Sequence, residues 1–371
     1  LESTELFSRS VGNSSDIVNK ELYSFLDRND ESISLRPEGS ASVIRAIIQK
    51  KQEHEKHKLW YQGPMFRYER PQKGRFRQFH QVGVEYLGYE EGIAEYELIS
   101  MVLQINKLIG ISDYTIKINH LGDQDAKESF CNSLTAFLKP HINELHEKDQ
   151  ARLKSNPLRV LDSKEKSTQE LLKEGPKFQD FISNDSKIFL KNLVDAFSNH
   201  CDIQIDQSLV RGLDYYTGIV FETVSEKLGA QDAFLGGGRY DNLSKQLGGK
   251  DMYAIGFAIG VERIIELLNI ENIKQPLKVG FIIVGEQIDK KTYKIADDLR
   301  SANNSIILDT FLSEGSLKSQ LRRANKNNCG YAIIIGAEEI KNDQIIWKSL
   351  SESGEQELLS LNEVIQKYTN L

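Results

Sequence analysis

The sequence predicts a mixed helix-and-strand domain carrying a helical insertion, followed by a smaller α/β domain. Three observations predict it. The chain has 371 residues, enough for two or three domains with real cores. Residues from about 123 to 200 are rich in Lys, Glu, Asn and Ser and carry helical periodicity between two strand-bearing regions. Beyond Gln275-Pro276, strand and helix patterns alternate cleanly, which is the order of βαβ units with a mostly parallel sheet.

Each element has a local reason. SASVIRAIIQ, from Ser40 to Gln49, is amphipathic and follows the turn RPEG. LWYQGPMFRYERPQKGRFRQFHQVGVEYLG reads as two long strands joined by a loop containing Pro71 and Gly74. Glu90 to Ile109 is helical, and YTIKINHLG is strand-like. SFCNSLTAFL and KIFLKNLVDAF supply the helices of the insertion. Strand signals return in LVRGLDYYTGIVFETV, in the stretch containing GGGRYD, and in YAIGFAIGVERIIELL. The tail then alternates LKVGFIIVG, KKTYKIADDLRS, NSIILDTF, SLKSQLRRANKN, CGYAIIIG, QIIWKSL, QELLSL and NEVIQKY.

Composition excludes several classes. Hydrophobic content of 39% and charged content of 27% fit an ordinary soluble globular protein. No apolar run approaches the ~18 residues of a membrane span, and the start carries no signal-peptide pattern. Cys131, Cys201 and Cys329 are scattered, which argues against a disulfide framework or zinc ribbon and fits a reducing cytoplasm. His54 and His57 lie in the charged stretch QKKQEHEKHK and read as solvated surface rather than metal ligands. A net charge of −7 argues against a general nucleic-acid coat protein, though a local basic patch remains compatible with it.

The chemistry concentrates in the hairpin. Period 2 over Arg75 to Leu87 places Arg75, Arg77, Phe79, Gln81, Gly83 and Glu85 on one face. A glycine in mid-strand marks either a bulge or a close approach to the backbone. With Gln81 and Glu85 beside it, Gly83 suggests a cradle for a small polar ligand. Residues 67–77 hold Arg67, Arg70, Lys73, Arg75 and Arg77 against only Glu69. Such a cluster is either a solvated basic loop or a site for a multiply charged phosphate. Phe79 offers a face for stacking a base. In AIGFAIGVER, Ala254, Gly256, Ala258 and Gly260 share a flat face, while Ile255, Phe257 and Ile259 turn to the core. Arg263 follows at a helix start, where the dipole favours an anion. No Walker pattern and no GxGxxG after a strand occurs.

In the stretch VRGLDYYTG, Arg211 reads either as a cation for a ligand or as a structural salt bridge with Asp214. Tyr215 and Tyr216 read either as pocket walls or as packing. Asp214 keeps a structural reading.

Taken together, Arg67-x-Glu69 with Arg75-x-x-x-Phe79, and then GFAIGVER, resemble motifs 2 and 3 of the class II aminoacyl-tRNA synthetases. LRPEGS, LVRGLDYYTG and GGGRYD narrow the resemblance to the histidyl-tRNA synthetase family, over essentially the whole chain. The resemblance implies an α+β catalytic domain, an antiparallel sheet flanked by helices, over 1–274 with the insertion at about 123–200. It implies a C-terminal α/β anticodon-binding domain over 277–371. The implied reaction joins L-histidine to ATP, then passes the histidyl group to the 3′ end of histidine tRNA. Arg67 and Arg211 are implied as catalytic. Glu38, Gly39, Ser40, Gln81, Glu85, Arg211, Tyr215 and Tyr216 are implied to bind histidine. Arg67, Glu69, Arg75, Phe79 and Arg263 are implied to bind ATP, with Mg²⁺ accompanying the ATP and no dedicated protein metal cage. A cytoplasmic homodimer is implied as well. The family begins several tens of residues earlier, with a strand and motif 1 that help build its dimer interface, whereas this chain starts near where motif 1 ends. The insertion is implied to touch the tRNA acceptor arm. KSQLRRANK reads equally as a phosphate-contacting helix or a solvated face.

A glutamate and a tyrosine suit the imidazole for a physical reason. The ring has one N–H donor and one lone-pair nitrogen. A site that hydrogen-bonds both rejects an isostere lacking one by about 10⁴–10⁵, against about 10² for an apolar pocket. Two rival readings exist. A synthetase-like regulatory subunit of histidine biosynthesis loses the substrate residues and the anticodon domain. A nucleic-acid module that has lost catalysis would not keep Arg67, Gln81, Glu85 and Arg211. This chain keeps both sets.

Overall fold

The computed structural model describes residues 1–12, 15, 17–70, 74–229, 232–268, 276–285, 290–311, 315–351 and 354–371. Pro71 and Lys73 of the basic loop and Gln275 of the expected linker lie outside the described residues. The chain separates into two units, Leu1–Ile270 and Glu271–Leu371.

The first unit opens with β1 (Glu2–Ser3), α1 (Thr4–Val11), β2 (Ser24–Leu26), β3 (Ser32–Ser34) and α2 (Ser40–Lys50). The hairpin strands β4 (His57–Phe66) and β5 (Gln78–Leu87) follow, then α3 (Ile93–Ile109) and β6 (Thr115–His120). The insertion contributes α4 (Gln124–Leu138), α5 (Glu147–Ser155), α6 (Lys166–Glu174) and α7 (Asn184–Phe197). The unit ends with β7 (Asp202–Ile205), β8 (Thr217–Val224), β9 (Ala233–Arg239), α8 (Leu243–Gln246), β10 (Ala254–Gly260) and α9 (Val261–Leu267). Seven strands form one sheet in the order β4-β5-β10-β9-β8-β6-β7. Every ladder is antiparallel except the edge pair β6–β7.

The alternation of β5 and β10 sorts the two faces. Tyr86, Ile255, Phe257 and Ile259 turn to the back, where they pack with Leu98, Ile99 and Val102 of α3 and Leu190 and Leu193 of α7. Each such side chain contributes about 1.5–3 kcal/mol on burial. The front face carries Gln81, Gly83 and Glu85 opposite Gly260, Ala258 and Gly256. The insertion shares the front core: Phe130, Leu134, Leu158 and Val160 join Leu209, Val210, Tyr215 and Tyr216 in one cluster.

Two expectations are corrected here. The hairpin's second strand begins at Gln78 rather than Arg75. LVRGLDYY is not strand: residues 209–216 form an irregular loop, and the strand begins at Thr217. The loop carries paired polar and aromatic groups whose partners lie on other elements, so no ladder claims its backbone.

The second unit holds β11 (Lys278–Val284), α10 (Lys290–Ala302), β12 (Ile307–Phe311), α11 (Leu317–Lys326) and β13 (Tyr331–Gly336). It closes with α12 (Ala337–Lys341), β14 (Gln344–Ser349), β15 (Gln356–Ser360) and α13 (Leu361–Thr369). The sheet order is β12-β11-β13-β14-β15. β11 pairs in parallel with β12 and β13, whereas β13–β14 and β14–β15 are antiparallel. The sheet is therefore only half parallel, unlike the expectation. A parallel return needs a crossover of a dozen residues or more, and the links into β14 and β15 are too short for one. Ile333 and Ile335 face Leu299 and Val364, while Ile334 and Ala332 face Ala324 of α11, so both faces are covered. No helix among the described residues is long and apolar enough to cross a membrane.

Candidate active site

The front of the sheet is built from small residues for a reason that the geometry makes plain. One row across it runs Tyr61, Gly83, Ala258, Gly236, Glu222. A Cβ on Gly236 would collide with the Arg211 guanidinium, and one on Gly256 with the Glu85 carboxylate. A Cβ on Gly83 would collide with the Tyr61 ring. Glycine at these positions lets three functional side chains lie flat on the sheet. The gap over Gly83 is thus not the open cradle expected. Tyr61 is Gly83's cross-strand partner on the same face, and its ring leans over both Gly83 and Gly39.

Beside this row lies a cavity of about 310 Å³. It brings together Arg67, Glu69, Arg75, Phe79, Gln81, Arg211 and Arg263. Arg67 Nε donates to the Pro37 carbonyl at 2.9 Å, and its guanidinium stands 5.3 Å from the centre of the Phe79 ring. Arg75 pairs with Glu69 at 3.0 Å. Arg263 donates from Nε to the Gly74 carbonyl at 3.2 Å and from Nη1 to the Ala233 carbonyl. Burial, then the nearby Arg75 cation, lowers the pKa of Arg263 from its ordinary value, with Glu69 opposing. Gln81 Oε1 is buried with no hydrogen-bond partner. Arg77 does not face the cavity but stacks over Tyr68 at 4.1 Å.

Of the residues expected to bind histidine, Gln81 and Arg211 line this cavity, and Glu38, Ser40, Glu85, Tyr215 and Tyr216 form a second, buried cluster. Glu85 is 1% exposed. It accepts from Ser40 Oγ at 2.6 Å and from the Tyr240 hydroxyl. Burial pushes its pKa to about 8, against the opposing hydrogen bonds of Ser40 and Tyr240, with Glu38 adding repulsion. Glu38 caps α2 by accepting from the Ser40 and Ala41 amides at 2.6 and 3.0 Å. Burial raises its pKa too, with these amides and then Arg67 opposing. The Tyr215 and Tyr216 rings lie 4.8 Å apart and Tyr240 lies 5.5 Å from Tyr215.

Two family models divide this chain between them. That for histidyl-tRNA synthetase matches residues 2–264 and that for the anticodon binding domain matches residues 278–371. The chain belongs to the histidyl-tRNA synthetase family. The histidine–tRNA ligase of Francisella philomiragia is 42% identical over 374 residues, covering 98% of this chain and 88% of that protein. The histidine–tRNA ligase of Francisella tularensis subsp. novicida is 43% identical over 375 residues, with the same coverage. The crystal structure of apo S. aureus histidyl-tRNA synthetase superposes with a TM-score of 0.76 at 31% identity, covering 99% of this chain and 89% of that one. The fold is accordingly that of a class II catalytic domain with a C-terminal anticodon-binding domain.

Within that family frame, the structure adds residues that sequence reasoning missed. Arg211 pairs with Glu222, not with Asp214. The signal was present: Glu222 is the one charged residue in the run GIVFETV. Glu262 also lines the cavity and accepts from the His80 amide and ring, each at 2.9 Å. Tyr61 joins the Glu85 cluster through strand register, which no local pattern announces, and Tyr240 of the GGGRYD stretch joins it from just beyond β9. Asp214 has the structural role expected of it. Its Oδ1 accepts from Asn156 Nδ2 at 2.7 Å, and its carbonyl accepts from Lys127 Nζ at 2.7 Å.

Proposed function

We propose that this chain charges histidine tRNA in two steps at the front of the sheet, with Arg67 and Arg211 as its catalytic residues. The observation that carries the reading is a single cavity ringed by Arg67, Arg75, Arg211 and Arg263, beside a buried glutamate–tyrosine cluster fit for an imidazole. The catalytic domain is assigned to 1–274 and the anticodon-binding domain to 277–371.

In the first step a histidine carboxylate oxygen attacks the α-phosphorus of ATP and pyrophosphate leaves from the opposite side. The pentavalent phosphorus gathers negative charge, and Arg67 and Arg211 meet it with fixed donors. Such preorganised charge is worth about 10²–10³ in rate per donor. Arg75 and Arg263 hold the outer phosphates, and Phe79 and Glu69 hold the adenine. Mg²⁺ arrives with the phosphates as part of the nucleotide substrate. Glu85 and Tyr216 take the two imidazole nitrogens, and Tyr215 lines the same pocket. Glu38, Gly39, Ser40 and Gln81 surround the α-amino and carboxylate groups. The unpartnered oxygen of Gln81 supports that assignment. In the second step the terminal ribose hydroxyl of tRNA attacks the acyl carbon as its proton passes to water, the acyl–phosphate C–O bond breaks, and AMP leaves. Lys318, Arg322, Arg323 and Lys326 on α11 are exposed and suit the phosphates of the tRNA. A cytoplasmic homodimer completes the reading.

The test is histidine-dependent exchange of pyrophosphate into ATP. Exchange that requires histidine supports the reading. Bound histidine without exchange overturns it.

A further inference from the structure

The segment carrying Arg211, Tyr215 and Tyr216 has no ladder of its own. Residues 209–216 run as turns and bends before β8 begins. The Asp214 amide reaches the Val11 carbonyl of α1 at 3.4 Å, and most of the segment's other anchors come from the insertion. Lys127 of α4 donates from Nζ to two carbonyls of the segment, Asp214 at 2.7 Å and Tyr216 at 3.2 Å. Asn156, which follows α5, donates to the Asp214 carboxylate at 2.7 Å. Arg159 Nη1 lies against Gly212, where a Cβ would meet it at 3.3 Å. Beneath these contacts, Leu121, Leu158 and Val160 share a core with Val210 and Tyr216.

Lys127 is not placed as a surface lysine would be. Its side chain is part-buried, and burial pulls the pKa of its amine below the ordinary lysine value, with Asp214 opposing. An ammonium in such a place is destabilising unless charge and acceptors meet it. Here the Asp214 carboxylate supplies the charge and two carbonyls supply the acceptors. Those carbonyls belong to residues 214 and 216, which bracket Tyr215. A single cation therefore fixes the path of the chain on both sides of the tyrosine pair. Upstream of it, the same path sets Arg211 over Gly236 and against Glu222.

We propose that Lys127 and Asn156 are positioning residues for histidine activation: the insertion uses them to hold the 211–216 segment in the register that aims Arg211 and Tyr216 into the site. This rests on the assignment of Arg211 and Tyr216 given above. The residues assigned to ATP, Arg67, Glu69 and Arg75 between β4 and β5, Phe79 on β5 and Arg263 on α9, are not among the groups bonded by this clamp of Lys127 and Asn156. Loosening it therefore acts on histidine and on the chemical step, and not on ATP.

The experiment uses the full chain with Lys127→Met, Lys127→Arg, Asn156→Ala and, beside them, Tyr216→Phe, all in pyrophosphate exchange. For Lys127→Met the expected result is a kcat about 100-fold lower, a histidine KM about tenfold higher and an ATP KM within about twofold of the parent. Lys127→Arg, which can reach both carbonyls, restores most of the rate. Asn156→Ala shows the same split on a smaller scale and carries the test alone if Lys127→Met does not fold. Unchanged constants, or equal rises in both KM values with no rescue by arginine, overturn the clamp. If Tyr216→Phe raises the histidine KM while the clamp variants do not, only the clamp falls. If Tyr216→Phe is also silent, the assignment of the pocket falls with it.

Discussion

Replacing Glu85 by glutamine should make the ligand-free protein more stable, and increasingly so as the pH rises. The carboxyl is 1% exposed and its pKa is pushed from the ordinary 4.5 to about 8, chiefly by burial. Between those values the unfolded chain has lost this proton and the folded chain keeps it. Stability therefore falls as pH rises through that window, by about 1.4 kcal/mol per pH unit, and levels off above about 8. Over the whole window the ionised carboxylate costs roughly 5 kcal/mol. Glutamine removes the titration, while the Tyr240 hydroxyl can turn from donor to acceptor. The assay is urea unfolding of ligand-free parent and variant at pH 6 and pH 8, fitting the transition of the Leu1–Ile270 unit by itself. Between those two pH values the variant should gain about 2 kcal/mol on the parent, because the folded carboxyl is already half ionised at pH 8. A difference that stays constant with pH, or shrinks as pH rises, refutes the reasoning. Function supplies the counterpart. On the proposed assignment histidine would bring an N–H to the carboxylate and favour its ionised form, so saturating histidine should narrow the pH dependence of the parent and leave that of the variant unmoved. The same substitution should weaken histidine far more than ATP.

Other substitutions separate the two halves of the site. Arg211→Ala should lower adenylation by about 10²–10³ with an unchanged circular dichroism spectrum, and a near-normal rate would remove its catalytic role. Gly236→Ala places a Cβ into the Arg211 guanidinium. It should depress the rate strongly in the parent and little in an Arg211→Ala background, and additive losses in that double-mutant cycle would disprove the contact. Arg263→Gln should raise the ATP KM about tenfold and leave the histidine KM alone; pyrophosphate exchange at varied substrate decides it, and a shared rise would contradict its assignment to the phosphates.

Much of this was legible because strands of period 2 announce their faces. Glu85, Gln81 and Gly83 fall together from sequence alone, as do Ile255, Phe257 and Ile259 on the other side. The tail's order of elements was legible for the same reason, except that α12 is too short to leave a periodic trace. What the sequence hides is register. That Tyr61 faces Gly83, and that Gly236 lies between Ala258 and Glu222, depends on which strands pair and at what offset. The protein partner of Arg211 is hidden on the same ground. Asp214 is nearer in sequence, but it sits in a turn gripped by Lys127 and Asn156, whereas Glu222 is brought near by strand β8.

The glutamates that line this cavity bear on why an arginine-rich site can exist in a chain of net −7. Arg67, Arg75, Arg211 and Arg263 would repel one another across so small a space, and each would lose hydration without recompense. The fold meets this locally: Glu69 holds Arg75, Glu222 holds Arg211, and backbone carbonyls hold Arg67 and Arg263. The arginines are thereby oriented before any phosphate arrives, which is the condition under which fixed charge lowers a barrier rather than merely binding a ligand. On the proposed assignment the pairing would also limit how tightly the ground state of ATP is held, because each phosphate oxygen would share its arginine with a protein acceptor. On the same assignment, charge that develops only at the pentavalent phosphorus would be matched best where donors are already aimed, at Arg67 and Arg211. The outer pair, Arg75 and Arg263, would then fix the leaving group.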